Sequence, residues 1–498
     1  MSATPCPERI LLDNARLPGA TDLTSLILAD GMVHSLGEAG GTQALPSQRL
    51  DLDGRTVLPG FWDAHVHVES WAISRRRLDL HGTKSAREAA DLAAEAAAAM
   101  SDPDEILIGY GYRDGLWPDL PHKDLYRGVA ADRVIALQSN DLHTAWLSPT
   151  ALRRIGAPDH PTGVLREIDC YRAMAALQEY SVDQVDAWIA EALDDAAAHG
   201  VTGLMDFEFG DCLPSWQRRV RRQRLPVRVS CTVYKEHLDV AIERGMKTGD
   251  IAPDTDGMVE AGPLKLFVDG SLNSRSALCH DAYPGASASS DAHGLLETPP
   301  DELRRLMGKA SEHGIHSAVH AIGDLAAEMA IDAFEELACD GRIEHAQLLP
   351  PHGVARLAKL GLTVGVQPAH LLGDRDVADR HWAGRTHRAF AYADMVTAGI
   401  QVELGSDAPV TPLDPWLGIR AAVLRAQGAD DEPWHPEQRM GIADTLTAAC
   451  RGRSGLHPGT RADLVVLEHD PIRADLTQLA DPGVVGTMVA GNWTYRTF

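Results

Sequence analysis

The sequence predicts an α/β protein: a (β/α)8 TIM barrel with a small β-sandwich domain formed from both chain termini. Three observations carry this. Between residues 57 and 407, eight short runs rich in branched apolar residues alternate with amphipathic stretches, several of which stop at a glycine just before the next run. Alternating strands and helices imply a parallel sheet, and eight repeats are the number that closes one into a barrel. The two chain ends instead show short strands around Asp-Gly and Gly-Asn turns. An open doubly wound sheet is the competing architecture, but no G-x-G-x-x-G follows the first strand.

Taken in order, residues 9–13, 25–29 and 32–36 read as strands, and Asp53-Gly54 as a turn before a strand at 57–67. Residues 1–56 and 455–498 are thus assigned to the β-sandwich, and 57–454 to the barrel. Residues 84–100 are Ala-rich, with Ser85 and Glu88 forming a capping box. Strands follow at 105–112 and 133–138, the second running into the polar cluster Ser139-Asn140-Asp141-Leu142-His143. Because this region breaks the repeat, residues 70–180 read as an insertion.

The regular pattern begins with a helix at 181–199. Ser181 and Gln184 cap it, Val185, Trp188, Ile189 and Leu193 share one face, and Gly200 ends it before a strand at 201–206. Strands at 226–234 and 264–268 come next. A helix at 301–313 leads to a strand at 315–320, and a helix capped by Asp324 to a strand at 342–345. Helices near 353–360 and 391–398 lead to strands at 362–367 and 400–407. Beyond the barrel, a helix at 441–449 precedes terminal strands at 462–467 and 484–495. Residues 70–180, 270–295 and 370–390 are read as the loops that shape a substrate site.

The bulk properties narrow the function. The chain has 498 residues, 44% hydrophobic and 23% charged, as in ordinary soluble globular proteins. A formal net charge of -25 argues against nucleic acid or an anionic membrane as partner, since phosphates would be repelled. Seven dispersed cysteines without a C-x-x-C pair do not form a disulfide framework. With no apolar leader and no spanning run, the expected location is cytoplasmic.

The chemistry lies at the strand ends. Residues i and i+2 of a strand point the same way, so His65 and His67 project together from the first barrel strand. Paired neutral imidazoles suit a divalent transition metal, zinc above all. In a barrel the C-terminal strand ends converge on one mouth. Here those ends carry His65 and His67, Lys265, His320, His345 and Asp407. Taken singly these are ordinary: a core histidine, an edge lysine, a helix-capping aspartate. Five strand ends that all offer nitrogen or oxygen ligands predict a metal site. Asp141, His143, Trp146, Tyr112, Arg275 and Gln367 are candidates for substrate binding, with Trp117 and Glu167 behind them.

The motifs Leu58-Pro59-Gly60-Phe61-Trp62-Asp63-Ala64-His65-Val66-His67, Lys265-Leu266-Phe267-Val268-Asp269-Gly270-Ser271, His320-Ala321-Ile322-Gly323-Asp324, Arg342-Ile343-Glu344-His345 and Gly405-Ser406-Asp407-Ala408-Pro409-Val410 resemble the amidohydrolase superfamily of metal-dependent hydrolases. Ala462-Asp463-Leu464-Val465-Val466 fits as well. Within that superfamily, Asp141-Leu142-His143-Thr144-Ala145-Trp146 is similar to the branch typified by N-substituted formamide deformylase.

The resemblance implies Zn2+ or a similar ion, one or two per site, on His65, His67, His320, His345 and Asp407. It places Lys265 where many members carry a carboxylated lysine bridging two metals. A divalent ion acidifies water from about 15.7 to about 7. Asp407 is then the expected general base, passing the proton to the leaving nitrogen, and His345 a partner of the oxyanion. Glu69, two residues past His67, resembles the adenine deaminase version of the motif. The reading is therefore a hydrolase cleaving the C–N bond of an amide or N-substituted formamide, with a small-molecule substrate and a homodimer as an open option. Its rivals are a deaminase of a cyclic amidine and a non-catalytic binding barrel.

Overall fold

Gly60 is the point at which the chain passes from one sheet to another. Thr56–Pro59 pairs antiparallel with Leu464–Leu467 of the terminal sheet, whereas Phe61–Val66 pairs parallel with Val201–Asp206. The single strand expected at 57–67 is therefore two. A Cβ on residue 60 would lie 2.0 Å from Thr202 Cγ2, so only glycine lets the backbone approach this closely.

The computed structural model describes residues 9–37, 48–102, 105–177, 180–286, 291–428, 430–475, 479 and 482–498. Its central sheet has eight parallel strands: β1 (Phe61–Val66), β2 (Val201–Asp206), β3 (Arg228–Tyr234), β4 (Val259–Phe267), β5 (Ser317–Ala321), β6 (Gly341–His345), β7 (Thr363–Val366) and β8 (Gln401–Leu404). Each pairs with the next in sequence. The ring closes just beyond β8, where Val66 bridges Ala408 in parallel and the Asp407 amide donates to the His65 carbonyl at 2.7 Å. The expected barrel is thus present, and the pairing that closes it carries two of the predicted ligands.

The strands are apolar on the helix side because helices cover them. Leu303, Leu306, Met307 and Ala310 of the helix Pro300–Glu312, and Ala326, Ala330 and Phe334 of Asp324–Leu337, join Leu266, Val319 and Ile343 in one buried core. Ser181 accepts the Gln184 amide at 3.2 Å and opens Val182–Ala198 as expected. Ser85 likewise accepts the Glu88 amide, but Glu88 reaches back to the Lys84 amide instead of the Ser85 amide, one residue beyond a capping box.

Asp324 does not cap its helix. Gly323 holds that position, and the orphan amides of Ile322 and Gly323 donate to Asp269, from the loop after β4. Residues 370–390, expected as loop, are largely the helix Pro368–His381. Proline at its first turn is compatible with a helix start, which the sequence reading overlooked.

Both chain ends build the β domain in one eight-stranded sheet. Its order is Asn492–Arg496, Val484–Val489, Leu464–Leu467, Thr56–Pro59, Ile10–Arg16, Leu23–Ala29 and Met32–Gly37, with Gln48–Asp51 also on Ile10–Arg16. Leu12, Leu26, Val33, Val57, Leu464, Val466 and Met488 form its core. Between β1 and β2 lies a separate five-stranded sheet with its own cores, ordered Val164–Arg166, Thr144–Leu147, Ile135–Ser139, Leu107–Tyr112 and Leu78–Asp79. The six described cysteines are all free thiols, and Cys6 lies outside the described residues. Among the described residues, no helix is long and apolar enough to cross a membrane.

Candidate functional site

The six strand-end residues meet at one mouth of the barrel. Asp407 Oδ1 lies 3.4 Å from His67 Nε2 and 3.6 Å from His65 Nε2. Lys265 Nζ is 3.5 Å from that same His65 nitrogen. The His345 ring sits 5.1 Å from that of His65 and 4.4 Å from that of His320, centroid to centroid. One ligand atom each from His65, His345 and Asp407 fall within 4.8 Å of one another. All six residues are buried.

Local backbone geometry sets this up. His345 (φ 71°) and Asp407 (φ 56°) both sit in the left-handed region, which non-glycine residues enter at a cost. At His345 the chain turns off the end of β6. At Asp407 it turns just after the amide that closes the barrel.

Two of the rings are aimed by a carboxylate behind them. His65 Nδ1 is 2.7 Å from Glu344 Oε2. Glu344 is held by Arg342, whose Nη1 donates to Glu403 at 2.7 Å. Gly365 makes room for this buried chain, because a Cβ there would lie 2.3 Å from Glu344 Oε2. His320 Nδ1 faces Asp269 Oδ1 at 3.1 Å. Binding at Nδ1 fixes the tautomer and leaves Nε2 as the free donor of an electron pair. The opposite ring face of His65 stacks on Phe207 at 3.9 Å.

The electrostatics keep these donors unprotonated. Burial, reinforced by Lys265, holds His65 well below the ordinary imidazole range, and burial with His320 and His65 does the same for His345. Burial also lowers the Lys265 ammonium to about 8. For Asp407, burial alone would push the carboxyl up, but His65 and His67 overcome it and keep the group ionised far into acid. Neutral imidazoles beside a carboxylate are the donor set of a divalent transition ion. Nδ1 of His67 and Nδ1 of His345 are buried without a partner, so these rings have nitrogen lone pairs or protons still to satisfy. On both counts the residues fit a divalent metal.

Two cavities open on the cluster and share Asp141, His143, His320, His345 and Asp407. His143 Nδ1 lies 2.5 Å from Glu167 Oε2 and 3.1 Å from the Tyr171 hydroxyl. Burial would lower its pKa, but Glu167 and Asp141 raise it to about 9. Asp141 accepts from the Ser139 hydroxyl, the His143 amide and the Ser271 hydroxyl.

Other expected substrate residues lie elsewhere. Tyr112 and Trp146 are fully buried in the core of the inserted sheet, packed with Tyr126 and Trp117. Their alternation marks a packed strand, and they line neither cavity. Arg275 sits on the loop after β4 near Arg166, Asp114 and Arg380, and Gln367 occupies the N-cap position of the helix Pro368–His381 without a side-chain capping bond; both also lie off the two cavities. Glu69 is in the first turn of Val68–Ser74, 3.6 Å from Arg219, and is likewise absent from both linings.

Sequence reading missed His370, whose Nε2 is buried 3.7 Å from Asp407 Oδ2. It arrives one helical turn after the end of β7, and the Pro368 start was the signal that could have revealed it. Arg113, Asn140, Gln347 and Asp374 also line the mouth without having been singled out.

With this geometry in hand, the likeness to known proteins is informative. A family model described as the amidohydrolase family matches residues 48–495. The putative amidohydrolase YtcJ of Bacillus subtilis is 28% identical across 95% of this chain and 94% of its own. N-substituted formamide deformylase of Arthrobacter pascens is 24% identical, with 95% of each covered. A crystal structure of an uncharacterized metal-dependent hydrolase from Pyrococcus horikoshii superposes with a TM-score of 0.76 at 25% identity, covering 94% of this chain and 99% of that one. The family match spans nearly the whole chain, barrel and β domain together: this protein belongs to the amidohydrolase family, hydrolases acting on carbon–nitrogen bonds.

Proposed function

We propose that the protein hydrolyses the C–N bond of an amide, N-substituted formamides included, with the Asp407 carboxylate as the proton acceptor. The single observation that carries this is the gathering of His65, His345 and Asp407 donor atoms within 4.8 Å at the barrel mouth. His65, His67, His320, His345 and Asp407 would hold one or two divalent ions, zinc being the ion best suited to such donors. An ion bound there supplies acidified water and polarisation of the substrate carbonyl.

The chain's own residues do the rest. Asp407, ionised at every physiological pH, takes a proton from water as its oxygen adds to the carbonyl carbon. It returns that proton to the nitrogen as the C–N bond breaks, so an amine and a carboxylate leave. His143 spends Nδ1 on Glu167, which leaves Nε2 free to donate to the oxygen that gains charge. Glu344 and Asp269 hold the rings of His65 and His320 in register. Lys265, partly neutral near pH 8 and lying over the rings of Phe207 and Phe267, is the amine that would take up carbon dioxide as a carbamate.

The test is a panel of N-formyl and N-acyl amines and cyclic amidines, assayed with Zn2+-loaded protein and with Asp407→Asn. Amine and carboxylate should be released, and the variant should lose about 10²–10⁴-fold in kcat while keeping its circular dichroism spectrum. Ammonia released from the amidines alone would make the protein a deaminase instead. Full turnover by the variant would remove Asp407 from the role of base.

A further inference from the structure

Beyond the residues they share, the two cavities over the histidine cluster offer different side chains. One side is aromatic: Tyr171, Phe209 and Phe267 face His67 and Lys265. Phe209 stacks near His67 at 5.8 Å, Tyr171 at 5.3 Å and Phe267 at 6.4 Å between centroids, yet remains 45% exposed. A large ring left this open beside a reaction centre is a surface that a ligand would cover.

The other side offers Arg113, Asn140, Gln347 and Asp374, set beside Leu272 and Ile322. Two of its groups still have hydrogen-bonding capacity. Asn140 gives its amide nitrogen to the Val410 carbonyl at 2.8 Å, while its oxygen is buried with no donor. Among the described residues, the Arg113 guanidinium makes no hydrogen bond and no ion pair within 4.0 Å, although its charge acts on Asp374 in the same recess. It lies over Gly373, where any Cβ would fall 1.3 Å from Arg113 Nη1. An unspent donor and an unspent acceptor in one recess are complementary to a ligand group offering both.

An amide has two halves, one on each side of the scissile bond, and His320, His345 and Asp407 of the cluster line both cavities. We propose that the substrate is a two-part amide. One half carries an aromatic or bulky apolar group against Tyr171, Phe209 and Phe267. The other half carries a polar group, such as a carboxamide, whose oxygen meets Arg113 and whose N–H meets Asn140. This deepens the amide hydrolase reading and depends on it. It also departs from a simple formamide, whose acyl half is a single hydrogen and would leave one lining uncovered.

The test compares kcat/KM of the Zn2+-loaded protein on five amides. N-phenylacetylglycinamide and N-benzylmalonamide carry both halves in the two possible orientations. N-phenylacetylisobutylamine lacks the polar half, N-acetylglycinamide lacks the aromatic half, and N-benzylformamide is the simple formamide. At least one two-part amide should exceed each of the other three at least tenfold. Phe209→Ala should collapse the preference over N-acetylglycinamide, and Arg113→Met the preference over N-phenylacetylisobutylamine, each leaving the other preference standing. N-benzylformamide turned over as well as the two-part amides would overturn the inference, as would both variants slowing all five alike. No turnover of any amide would instead bring down the hydrolase reading, so the two failures are distinct.

Discussion

The oxygen of Glu344 that meets His65 Nδ1 decides which nitrogen of that ring faces the reaction centre. Glu344→Gln keeps the shape and gives up the charge, so it should weaken metal retention or activity by about 10–100-fold. Metal content after dialysis and kcat/KM measured side by side check this; unchanged values would mean that stacking on Phe207 orients the ring without it. The pair of His143 and Glu167 predicts a pH effect on stability. The folded imidazole titrates at about 9, above its unfolded value of about 6.5. Its contribution, up to about 3 kcal/mol, is therefore complete below pH about 6.5 and is lost as pH rises through 9. Urea midpoints of the protein and of His143→Gln should converge over that window at constant metal loading. A constant gap would show that the charge does not matter. His65, His67, Lys265, His320, His345 and Asp407 were legible in sequence because residue type and strand-end position are both local facts. His370 was not, because it reaches the cluster from a helix, where no period-two rule applies.

At the scale of elements, β1 and β2 lock together through the absence of a side chain. Trp62 of β1 lies across Gly203 of β2, and a Cβ on Gly203 would fall 2.2 Å from its ring. Gly203→Ala must displace a buried indole from the strand that carries His65. It should cost about 1–3 kcal/mol by overpacking, and a thermal melt reads it directly. A melting temperature equal to that of the parent would mean that Trp62 has a second rotamer available. The helices after residue 181 were readable from their caps and glycine stops. The helix Pro368–His381 was not, since its sequence is polar on most sides and its apolar face is short. Within the inserted sheet, Tyr112 and Trp146 had the composition of a binding loop and the periodicity of a strand, and packing decided for the strand.

Across the whole molecule, the β domain is fastened to the barrel by a buried ion pair. Arg228 of β3 meets Asp463, the residue before Leu464–Leu467 of the terminal sheet, through two bonds of 2.8 and 3.2 Å, and Asp463 also accepts the Ala490 amide. Arg228→Met strands that carboxylate and should cost about 3–5 kcal/mol, whereas Arg228→Met with Asp463→Asn should cost less. Urea unfolding of both variants tests it, and equal losses would deny the coupling. The sequence by itself determined the barrel, the shared β domain and the identity of the strand-end donors. These follow from hydrophobic period, turn residues and residue chemistry, all written within a few positions of each other. Tertiary structure alone decided that Glu344 and Asp269 stand behind His65 and His320, that Gly60 divides two sheets, and that Tyr171, Phe209 and Phe267 lie on one side of the cluster with Arg113 and Asn140 on another. Those contacts join residues tens to hundreds of positions apart, and only barrel closure and the docking of the inserted sheet set the distances between them.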